Sequence, residues 1–213
     1  MSLQIIPFIL GPVQTNAYLI ADPITCEAAI IDPAWDGEII LAEAQKRGWR
    51  IGHLWYTHAH FDHIGGAAAI ADALNPLPLV ALHPADHALW QIGGGAKMFG
   101  LTIDPGPEPV VDFAHGQTLH LGSSLFEVRH TPGHTPGHVV FYCLTEKICF
   151  CGDLIFAGSV GRADLPGGDW ETLVASIRQQ IYTLPEDTRL LPGHGAETHV
   201  GEEKVSNPFV QEY

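Results

Sequence analysis

Three histidines and one aspartate fall within six residues of this chain, His58-Ala59-His60-Phe61-Asp62-His63. Neutral imidazole and carboxylate are the donors that divalent transition metals accept. Few other needs would concentrate them so tightly. The apolar stretch Ile51 to Tyr56 reads as a strand leading into the run. The small-residue stretch Gly65 to Leu74 reads as a helix leading out of it. The order predicts a loop at the C-terminal end of a strand, where α/β proteins place their sites.

Three later positions share this grammar. His134 sits in Thr131-Pro132-Gly133-His134-Thr135-Pro136-Gly137-His138, Asp153 in Cys151-Gly152-Asp153, and His194 in Pro192-Gly193-His194-Gly195. Glycine or proline stands beside a polar residue just past an apolar run. Glycine lets the backbone approach closely, so such strand-end loops can converge on one point. His138 reads equally as a strand start and as a residue that orients a ligand. His53, His83, His87, His115, His120 and His199 match no pattern and read as surface or structural residues.

The elements needed to position these groups are visible. Leu3 to Leu10, Ala17 to Ala21 and Ala28 to Ile31 read as strands. Asp36 to Arg47 reads as a helix, with Ile39, Ile40, Ala44 and Arg47 spaced for one face and Gly48 as its stop. After a strand at Leu79 to Leu82, Pro84 to Gln91 reads as a short helix. The Gly/Pro-rich stretch from Gly93 to Pro109 is the longest irregular segment and a candidate lid. Strands follow at Pro109 to Phe113, Thr118 to Leu121, Ser124 to Arg129, His138 to Leu144 and Lys147 to Phe150. A helix at Trp170 to Ile181 takes Asp169 as its cap. Arg189 to Leu191 reads as the last strand and Glu197 to Val205 as the last helix. Two halves, each strands first and then a helix, predict one α/β domain over residues 1–213, a four-layer αβ/βα sandwich.

Bulk properties set limits. With 213 residues, 46% hydrophobic and 16% charged, the chain is long enough to bury a full core. A formal net charge of −14 argues against a nucleic-acid partner, which wants a basic face. No apolar run reaches the ~18 residues of a membrane span, and the N-terminal stretch lacks the basic start of a secretory signal. The four cysteines, Cys26, Cys143, Cys149 and Cys151, form no dense framework, so reduced thiols in a cytoplasmic setting are expected. Cys149 and Cys151 alternate on one strand face and read as small apolar residues.

The ordered set His58-x-His60-x-Asp62-His63, His134, Asp153 and His194 resembles the full ligand set of the metallo-β-lactamase fold superfamily, over essentially the whole chain. The resemblance implies two divalent ions, zinc first, with iron and manganese also suited. One ion takes His58, His60 and His134; the other takes Asp62, His63 and His194. Asp153 bridges them, together with a hydroxide that attacks the substrate. Asp62 is then expected to orient that hydroxide and take its proton. A carboxylate at Asp153 argues against antibiotic hydrolysis, because β-lactamases of this fold commonly lack it.

Val160-Gly161-Arg162-Ala163-Asp164-Leu165-Pro166-Gly167-Gly168-Asp169 and Asn207-Pro208-Phe209 resemble the short glyoxalase-II-like hydrolases. The resemblance implies a small-molecule thioester substrate, hydroxyacyl-glutathione such as S-lactoylglutathione. The longer enzymes of that branch carry a C-terminal helical domain that holds glutathione. This chain runs about 20 residues past His194, so that domain is not expected. Arg162 and Lys97 are the candidate substrate cations. A thiol of pKa ~8.5 departs without a general acid, and no dedicated acid stands out in the pattern. A mononuclear iron persulfide dioxygenase, a lactonase of the same fold and a non-catalytic metal-binding domain are the other readings.

Overall fold

The computed structural model describes residues 2–211. Six strands build the first sheet in chain order: β1 (Gln4–Leu10), β2 (Thr15–Ala21), β3 (Glu27–Ile31), β4 (Arg50–Trp55), β5 (Leu79–Leu82) and β6 (Val111–Asp112). β1 to β3 pair antiparallel, and β3 to β6 pair parallel. The second sheet uses β7 (Thr118–Leu121), β8 (Ser124–His130), β9 (Val139–Cys143) and β10 (Ile148–Gly152). A two-stranded hairpin, β11 (Ile155–Phe156) and β12 (Ser159–Val160), follows. β13 (Arg189–Pro192) and β14 (Thr198–His199) complete the second sheet, whose order is β14-β13-β10-β9-β8-β7.

Strand alternation sends one face of each sheet inward. Tyr18, Ile20, Ile31 and Trp55 from the first sheet pack with Phe126, Val128, Phe141 and Phe150 from the second. The outer face of the first sheet is covered by α1 (Gly37–Arg47), α2 (Phe61–Ile64) and α3 (Ala67–Ala73) through Ile40, Ala44, Ile64, Ala67 and Ile70. Between β5 and β6, α4 (His87–Gln91) sits partly exposed. The outer face of the second sheet carries α5 (Trp170–Ser176) and α6 (Val200–Ser206), with Leu173, Ile177, Ile181 and Val200 buried against it. This is the expected αβ/βα sandwich.

The differences from the sequence reading are local. The helix expected at Gly65 to Leu74 is two pieces, and its first turn, Phe61–Ile64, begins inside the histidine run. In α1, Ile40 and Ala44 are buried one turn apart, while Ile39 is 50% exposed, so the apolar face is narrower than expected. Asp169 caps α5 by accepting from Thr172 N at 2.8 Å, and the helix continues as a wider turn over Ile177–Ile181. The expected last helix starts at Val200, because Thr198–His199 pairs with β13 first. The irregular stretch after Gly93 holds one 3-10 turn, Ala96–Phe99. Cys149 and Cys151 are buried under α5 as free thiols, and Cys151 Sγ donates to the Cys149 carbonyl at 3.3 Å.

Candidate metal centre

The site lies where strands of both sheets end. β4 delivers His58 and His60 just past its last residue, and α2 starts at once. His60 is still extended, with φ −67° and ψ 146°, so the chain turns there and places Asp62 and His63 on one helical turn. From the other sheet, β8 and β9 flank the loop that carries His134. β10 and β13 run parallel, with a register shift just before Gly152↔Pro192, and they deliver Asp153 and His194 side by side. Gly193 N donates to the Gly152 carbonyl at 2.7 Å. A Cβ on Gly193 would collide with the Asp153 carboxylate, which explains the glycine before His194.

The seven expected residues converge. Ligand atoms of His58, His60 and His134 lie within 4.8 Å of one another, and so do those of Asp62, His63 and His194. Asp153 stands between the two sets: Oδ1 is 3.3 Å from His63 Nε2, and Oδ2 is 3.5 Å from both His134 Nε2 and His194 Nε2. Among the described residues, every such group of close ligand atoms falls in this cluster, so the six unmatched histidines stay outside it. His58 and His63 are fully buried, whereas the His194 side chain keeps 28% exposure and Asp62 12%; the cluster opens to solvent on that side.

Hydrogen bonds fix which nitrogen His58, His63 and His134 aim inward. His63 Nδ1 donates to Asp32 Oδ2 at 2.9 Å, leaving the Nε2 lone pair for the centre. Thr57 Oγ1 donates to the same oxygen at 2.6 Å, so it accepts from His58 Nδ1 at 3.0 Å and leaves His58 Nε2 free. His134 Nδ1 donates to the Arg162 carbonyl at 2.7 Å. His60 presents Nδ1, 2.9 Å from His134 Nε2. Outer hydrogen bonds of this kind orient metal-binding histidines.

The donor set fits divalent ions on one further observation. His58 Nε2, His63 Nε2 and Asp153 Oδ1 are buried and have no hydrogen-bond partner. A buried polar atom left unpaired costs ~1–3 kcal/mol. His63 Nε2 and Asp153 Oδ1 face each other at 3.3 Å, so His58 Nε2 is the atom that points most directly to an ion as its missing partner.

Charge is divided between the two triads. Burial holds the pKa of His58 well below its ordinary value, and burial with His134 lowers His60 to about 3. Burial also lowers His134. These three are neutral, the form that binds metal. At His63 burial works against the proton, but Asp153, Asp62 and Asp32 outweigh it and raise the pKa. At His194 the same contest, won by Asp153 and Asp62, ends at about 9. Burial pushes Asp62 up, yet His63 and His194 pull it to about 2.

Of the supporting residues, the sequence offers His138 as one that orients a ligand and gives no such signal for Asp32 or Glu203. Asp32 reads there as the end of a strand before Pro33; here it is buried and serves both triads. His138 Nε2 accepts from Asp153 N at 3.1 Å, and its Nδ1 therefore donates to Thr131 Oγ1 at 2.8 Å. It holds the Asp153 backbone from outside the centre. Glu203, on α6, accepts from Gly158 N at 3.0 Å, Thr198 Oγ1 at 2.7 Å and Asn207 Nδ2 at 2.8 Å. Asn207 also donates to the Ser159 carbonyl at 3.0 Å. The Asn207-Pro208-Phe209 motif thus fastens the β11–β12 hairpin, which lies between Asp153 and Arg162 and sets Phe156 against His194, with ring centroids 6.0 Å apart.

The two candidate substrate cations lie outside the cluster. Arg162 is exposed and grips Asp164 at 2.7 and 2.8 Å, so its side chain braces its own loop while its carbonyl braces His134. Lys97 is exposed on the Ala96–Phe99 turn, next to Phe99, whose ring lies 5.3 Å from that of Phe61.

Residues 10–194 match the family model described as Metallo-beta-lactamase superfamily. The chain belongs to that superfamily. Among its relatives is the hydroxyacylglutathione hydrolase GloC of Haemophilus influenzae, 36% identical over 99% of this chain and 98% of GloC. The crystal structure of the B3 metallo-beta-lactamase BLEG-1 superposes with a TM-score of 0.91 at 36% identity, covering 98% of this chain and all of that one. TTHA1623 in a di-iron-bound form superposes with a TM-score of 0.87 at 42% identity, covering 96% of this chain and all of its own. Like them, this chain has a metallo-beta-lactamase fold, and its histidine and aspartate groups are able to bind metal ions.

Proposed function

We propose that this chain is a dinuclear metal-dependent hydrolase of thioesters, with hydroxyacyl-glutathione such as S-lactoylglutathione as the substrate class. The observation that supports it most is the pair of triads with Asp153 between them and the buried His58 Nε2 without a hydrogen-bond partner. His58, His60 and His134 would hold one ion, Asp62, His63 and His194 the other, and Asp153 would touch both. Such ions, zinc first and iron or manganese next, would supply Lewis-acid polarisation of the carbonyl and acidify a water near neutral pH. The likeness to GloC supports the thioester, and the di-iron form of TTHA1623 supports iron as an occupant.

The chain's own residues then divide the work. Asp62 is a carboxylate at neutral pH, held by Thr15 Oγ1 at 2.9 Å on the open side of the cluster. There it orients the attacking water and accepts its proton. The departing thiol has a pKa of ~8.5 and leaves as thiolate without a proton donor. Arg162 and Lys97 are the cations assigned to the glutathione carboxylates; Arg162 would exchange Asp164 for the substrate.

Metal analysis combined with a substrate panel tests the reading. Two metals per chain, with S-lactoylglutathione cleaved faster than a lactone or a β-lactam, is the expected result. The likeness to BLEG-1 makes the β-lactam an informative control. One iron per chain, with dioxygen consumed on glutathione persulfide, would replace this reading by the dioxygenase.

A further inference from the structure

The His58, His60 and His134 triad is assembled from two loops far apart in the chain, and a third segment reaches both. Asp86 follows β5 in the turn that opens α4 and contributes no ligand of its own. Its side chain is fully buried. Oδ2 accepts from Ala59 N at 3.1 Å and from Thr135 Oγ1 at 2.7 Å; Oδ1 accepts from Gly137 N at 2.6 Å. Ala59 stands between His58 and His60, and Thr135 follows His134. One carboxylate therefore holds the Ala59 backbone between His58 and His60, and on the other loop the Thr135 hydroxyl next to His134 and the Gly137 backbone.

The fit is close on the second loop. A Cβ on Gly137 would lie 2.7 Å from Asp86 Cγ, so a glycine is needed for the loop to come in this far. Among the described residues, no lysine or arginine pairs with Asp86. Burying a carboxylate without a cation is costly, and three hydrogen bonds offset that cost only while all three donors point at it. Such a group tolerates one arrangement of the two loops. The loops also meet at Val139 N to the Thr57 carbonyl, 2.8 Å, closer to the sheets. That second tie joins Thr57, beside His58, to the first residue of β9, five positions past His134.

We propose that Asp86 is the positioning residue of the first metal triad, setting the separation of His134 from His58 and His60 and so the affinity of that ion alone. The inference rests on the two-metal reading above. In Asp86→Asn the amide presents one acceptor and one donor group to donors on both sides, so one loop loses a backbone hydrogen bond. Thr135→Val removes one donor and keeps the carboxylate on both backbones.

The test is stepwise zinc binding by the purified chain, measured by competition with a chromophoric chelator, with amide hydrogen exchange on the metal-free protein. Asp86→Asn is expected to weaken one of the two zinc affinities at least tenfold and leave the other within twofold. Exchange at Ala59 and Gly137 should speed up. Thr135→Val should fall between Asp86→Asn and wild type, and it keeps the test open if Asp86→Asn does not fold. Equal weakening of both ions, or two unchanged affinities in a variant that only melts earlier, would overturn the proposal. A wild-type chain that binds no divalent metal defeats the two-metal reading and this inference together. A wild type with two zinc ions beside an Asp86→Asn with the same two affinities defeats this inference alone.

Discussion

Replacing Asp32 by asparagine should weaken both metals at once. The carboxylate accepts from Thr57 N at 2.7 Å, Thr57 Oγ1 at 2.6 Å and His63 Nδ1 at 2.9 Å. An amide of the same shape offers one acceptor oxygen. If that oxygen takes the Oδ2 position, Thr57 N–H faces the amide NH2 and goes unpaired. If it takes the Oδ1 position, His63 Nδ1 and Thr57 Oγ1 lose their acceptor. Either way at least one buried donor is stranded, at about 1–3 kcal/mol. Loss of a partner that orients a ligand lowers metal affinity by about 10–100-fold. His63 belongs to one triad, and Thr57 Oγ1 hydrogen-bonds His58 of the other, so the loss reaches both ions. Removing a carboxylate also lowers the proton affinity of His63, which favours metal at low pH. The comparison is therefore made over a pH series, by chelator competition on wild type and variant. A folded Asp32→Asn that keeps both affinities within twofold would refute the claim that Asp32 orients the two histidines.

Three further outcomes follow from the same geometry. Asp153→Ala should lower metal occupancy and thioester hydrolysis together, read by metal analysis and a thiol-release assay; wild-type activity with two metals bound would remove Asp153 from the site. Metal uptake by the two triads should differ in pH dependence. His63 and His194 have raised pKa values, about 9 for His194, so in the metal-free protein they carry protons at pH 7 that a metal must displace. Affinity at that triad should climb by roughly tenfold per displaced proton for each pH unit, the His194 share ending as pH passes about 9, while the triad of lowered histidines stays nearly flat. Equal slopes for both ions in a titration from pH 6 to 9 would contradict this. The sign for stability is opposite: the contribution of His194 to the metal-free fold is full below its unfolded pKa and is lost as pH rises through about 9. Glu203→Ala strands the donors of Gly158, Thr198 and Asn207. A loss of about 3 kcal/mol would lower the Tm of a chain this size by about 6–12 °C, and a shift under 2 °C would show that the clamp does not matter.

Much of this site is legible in the chain because its signals are local. Ligand types at close spacing after an apolar run mark His58 to His63, and a glycine just before the donor marks His134, Asp153 and His194, wherever the strands lie. The sandwich is legible for a similar reason, since strand and helix periods can be read a segment at a time. Local signals fail where a neighbour decides. Phe61–Ile64 is helical inside a run that reads as loop, because its turn packs under Trp35 and Phe99. The Ile155–Val160 hairpin carries too few residues to show a period.

What the sequence determines by itself is the inventory: which donors are present, in what order, and that they follow strand ends. Which donors share a triad is decided by the fold, because His60 and His134, 74 positions apart, meet at 2.9 Å only when the two sheets stack. The same holds for Asp32, Asp86, His138 and Glu203. As letters they are an aspartate before proline, a turn residue, a histidine that reads equally as a strand start or a ligand-orienting residue, and one acid among several. Each makes at least one hydrogen bond across 15 to 51 positions, and burial makes each depend on partners that only the packed structure brings within reach.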